Sequence, residues 1–223
     1  MQSTCRLMGF TSGRCSRISL APHERAIFKK DRTCGSEVKL AKFIRSGLDV
    51  LFVGLNAPSQ SNSNGHWFSG AGSRFFKLLA KSQLIVPKIA KECADETVFG
   101  TTEINYAGSR LGVIDLVEDL VMTDSRHVRF TQHHVDSLLD LIRELDPHFV
   151  CIIHSKVTRG LNARGNLKSQ LNYWPRGAGL RGSNAEFFVN YFPTGNAIPD
   201  ESKLAIFQSL RGRVSTRRGT STS

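Results

Sequence analysis

The feature that most constrains the fold is the run Val50-Leu51-Phe52-Val53, preceded by Asp49 and closed by Gly54. Successive apolar residues leave no polar face, so a strand built from them is covered on both sides, as in the middle of a mainly parallel sheet. After the run come a loop of small and amide residues (Asn56 to Gly65), an aromatic cluster (His66-Trp67-Phe68), and an apolar stripe at helical spacing through Phe75, Phe76, Leu78 and Leu79. The stretch Asp49 to Lys81 therefore reads as a buried strand, a polar loop at its carboxyl end, and a helix over Arg74 to Ser82. In open α/β folds ligands bind beyond the carboxyl ends of the strands, which marks Asn56, Ser59, Ser61 and Phe68 as candidates for chemistry.

The rest of the chain repeats the theme. Ser36 is positioned as an N-cap for a helix over Glu37 to Ser46, with Gly47 as its stop. A short helix is expected around Pro87 to Ala94, then a loop from Gly100 to Gly112. Leu111 to Val117 reads as a second strand, interrupted by one carboxylate, Asp115. A charge within such a run either faces a cleft or is paired in a structural network, for instance with an Arg. Thr131 caps a helix ending near Leu145, stopped by Asp146-Pro147, and Phe149 to Ile153 is a third strand leading into His154, Ser155 and Lys156. Asn162 to Asn184 is rich in Gly, Asn and Arg and reads as an irregular surface segment anchored by Tyr173 and Trp174. Glu186 to Tyr191 is a fourth strand, Phe192 to Pro199 a compact loop, and Ser202 to Leu210 the last helix. The alternation predicts a three-layer α/β/α sandwich with a central, mainly parallel sheet and loops gathered at one sheet edge. The domain organisation expected is a basic, flexible segment over 1–33, one domain over 34–213, and a basic disordered tail over 214–223.

Charge narrows the partner. With 30 Lys and Arg against 19 Asp and Glu, the formal net charge is +11, which favours polyanions and nucleic acid first. The five cysteines are an odd number without CxxC spacing, which fits free thiols in a reducing compartment. Cys5, Cys15, Cys34 and His23 are too irregularly spaced for zinc, so no metal is expected. No apolar run approaches the roughly 18 residues needed to span a bilayer. The expectation is an intracellular protein without a membrane partner, cytoplasmic in a bacterium and nuclear or mitochondrial in a eukaryote.

No phosphate-binding GxxxxGK[ST] loop, GxSxG elbow, HExxH helix or GxGxxG turn is present. What remains is the cleft set. Asn56 sits on a turn constrained by Gly54 and Ala57-Pro58, where its amide either caps the turn or positions a water or base edge. Phe68 offers a face for stacking a base or for ordinary core packing, whereas Phe75 and Phe76 belong to the core stripe.

These residues carry a resemblance. GLNAPSQSNSNGHWFSGAGSRFFKLL (Gly54 to Leu79) resembles the first motif of the uracil-DNA glycosylase superfamily, particularly the mismatch-specific uracil/thymine-DNA glycosylases: a G-[IL]-N-P-G turn, a spacer, G-x-x-F, and a small-residue run ending in N-R-F-W. The departure is Ala57-Pro58 in place of Pro-Gly. The resemblance implies that Asn56 holds the attacking water, that Phe68 stacks on the extruded base, and that Gly54, Leu55 and Ser61 lie by the base. Asp115 aligns with a stretch that carries a catalytic aspartate in some relatives. FPTGNAIP (Phe192 to Pro199) resembles the family's N-P-S-G-x-x-R insertion loop, which makes Thr194, Gly195, Asn196 and Ile198 the DNA-binding or wedge candidates, with Ile198 where the family has Arg. HSK (His154 to Lys156) resembles an N-G-K turn at which Ser155 and Lys156 would meet a backbone phosphate.

The activity implied is that of a monofunctional DNA glycosylase, expected as a monomer without cofactor, which flips uracil or a related deaminated base out of mispaired duplex or single-stranded DNA and hydrolyses its N-glycosidic bond. Two alternatives use the same residues: a nucleic-acid-binding module of this fold with weak or no catalysis, and a nucleoside hydrolase, which needs neither a basic surface nor an insertion loop.

Overall fold

The structure is a computed structural model that describes residues 37–86, 89–90, 93–165, 167–173 and 179–219. The expected N-terminal segment, the Ser36 cap, Trp174 and the last four residues lie outside the described residues.

Four parallel strands form the sheet: β1 (Val50–Ala57), β2 (Leu111–Val121), β3 (Phe149–Ile152) and β4 (Glu186–Val189), in the order β2-β1-β3-β4. The most apolar stretch, β1, is central as its pattern requires, and all eight of its residues are buried. Among the described residues six α-helices accompany the sheet: α1 (Ser59–Asn64), α2 (Phe75–Lys81), α3 (Ala94–Gly100), α4 (Gln132–Leu145), α5 (Ser155–Arg164) and α6 (Asp200–Gly219).

Period-two alternation divides the strand side chains between two cores. Val50 and Phe52 of β1 point to the face covered by α2, α3 and α6, where Phe75, Val98, Phe99 and Phe207 interlock with them. Leu51 and Val53 point to the face covered by α4 and α5, where Leu138, Leu139, Ile142, Val157 and Leu161 pack. The chain is thus the α/β/α sandwich that its pattern implies. Among the described residues no helix is long and apolar enough to cross a membrane.

Four local expectations are corrected. Glu37 to Ser46 is not a helix. Its backbone is captured by neighbours: the Asn62 carboxamide accepts from Lys39 N (2.7 Å) and donates to Glu37 O (3.0 Å), Trp67 Nε1 donates to Ala41 O (2.7 Å), and Phe43 bridges to Val113 of β2. The same Asn62 bonds account for α1, a short helix where a loop was expected, because they fix its buried face from outside despite its poor helix formers. Of the helix expected around Pro87 to Ala94, residues 87–88 and 91–92 lie outside the described residues; the helix described there begins at Ala94, and Ala94, Val98 and Phe99 supply its buried face. Finally, the expected disordered tail from 214 is helical through Gly219, because Val214, 1% exposed, still packs into the core.

Candidate functional site

The sheet order creates a switch point. The chain leaves β1 toward β2 and leaves β3 toward β4, in opposite directions, so a crevice opens between the carboxyl ends of β1 and β3. A cleft of about 500 Å³ lies there, within the range of small-ligand sites. It is lined by Gly54, Leu55, Asn56, Ser61, Phe68 and Asp115 from the β1, α1 and β2 side, and by Thr194 and Gly195 of the loop after β4. Eight residues singled out from sequence therefore converge on one cavity. Asn196, Ile198, Ser155 and Lys156 do not line it.

Asn56 ends the run of β1 and is 8% exposed. Its Nδ2 donates to Met122 O (2.7 Å) and Ala57 O (3.2 Å). Both partners are carbonyls, which only the NH₂ end can satisfy, so the orientation of the amide is determined and Oδ1 is the end left to accept a hydrogen bond. The side chain both closes the turn and presents an acceptor oxygen.

Asp115 pairs with Gly54 across the β1–β2 ladder. It is 6% exposed, and no hydrogen-bond donor among the described residues reaches its carboxyl group. The Arg partner that a structural role would require is missing from its described surroundings. Burial first, and the neighbouring Glu118 carboxylate second, push its pKa up to about 8. A buried carboxyl in a cleft, without a donor among the described residues, is costly to maintain and marks a group whose protonation state is available for use.

Phe68 occupies the left-handed region at φ 54°, a conformation costing about 1–3 kcal/mol for a bulky side chain. It is held by a stack on Phe75 with ring centroids 3.9 Å apart and planes at 18°, and by an edge contact with Phe76 at 5.9 Å. The preceding backbone is fixed as well. Asp95, 1% exposed and with its pKa raised by burial, accepts from Trp67 N (2.8 Å) and bonds to His66 Nδ1 (3.0 Å). One face of Phe68 is committed to Phe75, and its ring also borders the cleft. Ser61 is 4% exposed, with its hydroxyl facing Gly70 at the cleft wall.

Three assignments change. Leu55 lines the cleft but also packs in the core beneath α4 and α5, 3% exposed, which makes it part of the cleft's apolar floor. Lys156 does not present a free ammonium group to a phosphate: Nζ donates to the carbonyls of Ser125, Arg126 (2.9 Å) and Val128 (3.2 Å), closing the loop after β2. Asn196 does not project as a wedge. Its Nδ2 donates to Phe192 O (2.7 Å) and its Oδ1 accepts from Ile198 N (3.2 Å), so the side chain folds its own loop, and Ile198 is half-buried.

One cleft residue went unassigned in the sequence: His154. It caps α5, and its Nδ1 accepts from Lys156 N (3.1 Å), which places the ring proton on Nε2. Burial, with Lys156 and Arg159 nearby, lowers its pKa to about 4, so the imidazole is a neutral donor across the physiological range. Its ring meets Phe192 edge-on at 5.6 Å. The available signal was its place as the first polar residue after the apolar run Phe149 to Ile153, at the same end of the sheet as Asn56.

Among the described residues no group of His, Cys, Asp and Glu has the arrangement of a metal site. The assembled cleft offers one acceptor oxygen (Asn56), one titratable carboxyl (Asp115), one neutral donor (His154) and one aromatic face (Phe68). That set fits a flat heterocycle bearing both donors and acceptors, with a water beside it. No protein-family model matches the chain, and no curated protein matches its sequence.

Proposed function

We propose that the protein is a DNA glycosylase that hydrolyses the N-glycosidic bond of uracil, or of a related deaminated base, and so opens base-excision repair. The observation that carries the proposal is the pairing of two unspent oxygen functions, Asn56 Oδ1 and the Asp115 carboxyl, in the cleft that Phe68 borders. The excess of cations supplies attraction to the phosphate backbone, and the stretch from Gly54 to Leu79 resembles the first motif of the uracil-DNA glycosylases.

The chemistry follows from those groups. A base taken out of the stack slides over Phe68, and His154 Nε2–H donates to a ring carbonyl. As the bond from C1′ to the base nitrogen breaks, its electron pair leaves with the base, and the hydrogen bond from His154 stabilises the resulting anion. A water accepted by Asn56 Oδ1 adds its oxygen to C1′. The proton it sheds passes to the ionised form of Asp115, and the base anion is protonated from solvent. The products are free base and an abasic site.

The test is incubation of the full chain with labelled uracil-containing DNA, single-stranded and in G·U and A·U duplexes, followed by alkali. Strand scission at the uracil position is the expected result, abolished in Asn56→Ala while DNA binding persists. Faster turnover of free deoxyuridine than of DNA would reassign the cleft to a nucleoside hydrolase, and binding with no release of base would leave a binding module.

A further inference from the structure

We infer that the substrate of this cleft is single-stranded DNA, with the nucleotide beside the excised base held on the stacked pair Tyr173 and Tyr191. The inference rests on the glycosylase reading and adds strandedness to it. Two independent observations carry it.

The first is the insertion loop. Taking a base out of a duplex leaves a gap in the stack, and enzymes that do so drive a side chain into it. The apex of this loop, residues 195–197, carries no long side chain free to drive in. Gly195 has no side chain, Ala197 has one methyl group, and the Asn196 carboxamide is turned back onto Phe192 O and Ile198 N. Ile198, where a long cationic side chain would serve as a plug, is half-buried. With the half-buried Ile198 as the one sizeable apolar side chain over residues 195–198, more of the unpairing and unstacking of a duplex base falls to pocket contacts. A base in a single strand carries little of that cost.

The second is an aromatic platform next to the cleft. Tyr173 and Tyr191 stack with ring centroids 4.2 Å apart and planes at 10°. Tyr191 is partly buried against the core beneath α2 and α6, which makes it a fixed backing, and it is the chain neighbour of Phe192, which lines the cleft and meets His154. Tyr173 is 40% exposed. With one face on Tyr191, its exposed surface is where we place a further ring. Base stacking on such a surface is tolerant of sequence, as a repair enzyme's flanking contact must be. It also requires a base whose face is free. In a duplex the flanking base is sandwiched between its neighbours; in a single strand it can swing onto Tyr173. Loop and platform thus select the same substrate by different means.

The experiment uses the full chain and an end-labelled oligonucleotide carrying one uracil, alone and annealed to complements with G or A opposite. The native protein, Tyr173→Ala and Tyr173→Phe are compared in single-turnover and steady-state assays. The native kcat/KM is expected to be at least about tenfold higher on the single strand than on either duplex. Tyr173→Ala is expected to lose about tenfold on the single strand, nearly all of it in KM, with little change on duplex, and Tyr173→Phe is expected to keep the native values. A G·U duplex processed as fast as the single strand overturns the inference and leaves the glycosylase reading standing. So does a Tyr173→Ala variant indistinguishable from native on the single strand. Excision from none of the three substrates removes both.

Discussion

Gly54 and Asp115 are partners across the β1–β2 ladder, and the Asp115 Oδ1 atom occupies the space in which a Cβ on Gly54 would stand. The glycine that closes the apolar run of β1 is therefore required for a reason other than backbone freedom: it is the floor on which a buried carboxyl lies.

Gly54→Ala is expected to force that carboxyl out of place. Overpacking of this kind costs about 1–3 kcal/mol, a loss of several degrees in melting temperature, and excision should fall with it. Asp115→Ala vacates the space, so the two changes should not add: in the Asp115→Ala background, Gly54→Ala should cost much less than it does alone. Thermal melts of the four proteins give the coupling, and additive losses would show that the two side-chain positions do not compete.

The raised pKa of Asp115 makes a separate prediction about pH. Its folded value of about 8 lies above the unfolded 3.8, so the native state favours the protonated form. Ionisation therefore removes stability as pH rises from about 4 to about 8, with a ceiling of roughly 6 kcal/mol at about 1.4 kcal/mol per pH unit. Asp115→Asn keeps the shape and cannot ionise. The variant should match the native protein near pH 4, become progressively more stable than it toward pH 8, and level off above. On the proposed mechanism native excision should rise with pH near 8, and the residual excision of the variant should lose that rise. A stability difference that is flat from pH 4 to 9 would count against a buried, unpaired carboxyl.

How much of this was legible in the sequence depends on where the deciding partner lay. The central strand and the α4 helix were readable because their signals are local: an unbroken apolar run for Val50 to Val53, and the stripe Val135, Leu138, Leu139, Ile142, Leu145 between Thr131 and Asp146. Val38, Leu40, Phe43 and Ile44 carry an equally good helical stripe, yet that segment is not helical, because Asn62, Trp67 and Val113 claim its backbone from elsewhere in the chain. Site residues divide the same way. The positions of Asn56 and Phe68 follow from the strand-loop-helix pattern. That Lys156 is occupied by carbonyls about thirty residues earlier, and that Asn196 bonds within its own loop, are facts of orientation that residue type and spacing do not carry.

The carbonyls around Lys156 lead to a prediction that separates structure from DNA contact. Lys156→Met leaves the Ser125, Arg126 and Val128 carbonyls without their shared donor, which should lower stability by about 1–3 kcal/mol. A lysine bound to phosphate would contribute close to one unit to the slope of log K against log salt. Binding to an oligonucleotide at several salt concentrations should give the native slope in this variant. A slope shallower by about one unit would return Lys156 to the phosphate.

The mouth of the cleft is tied by charge. Arg74, which precedes α2, donates to Asp200 at the start of α6 (3.0 Å), and the Lys203 ammonium, 1% exposed, lies 3.7 Å from the same carboxylate and 3.4 Å from Pro193 O. Asp200 thus links the segment before α2 to the loop over Phe192 to Pro199, and hydrogen bonding from Arg74 holds its pKa below the usual carboxylate range. A lowered pKa contributes stability above the unfolded value that is lost as pH falls through the folded one. Asp200→Asn should therefore melt earlier than native at pH 7, because Lys203 loses its nearest countercharge, and the difference should close under acid conditions in which native Asp200 is itself protonated. Thr194 and Gly195 line the cleft, while Asp200 touches no reacting group. The loosened loop should raise KM for uracil-containing DNA several-fold with kcat nearly unchanged. An equal fall in kcat would instead put Asp200 in the chemistry.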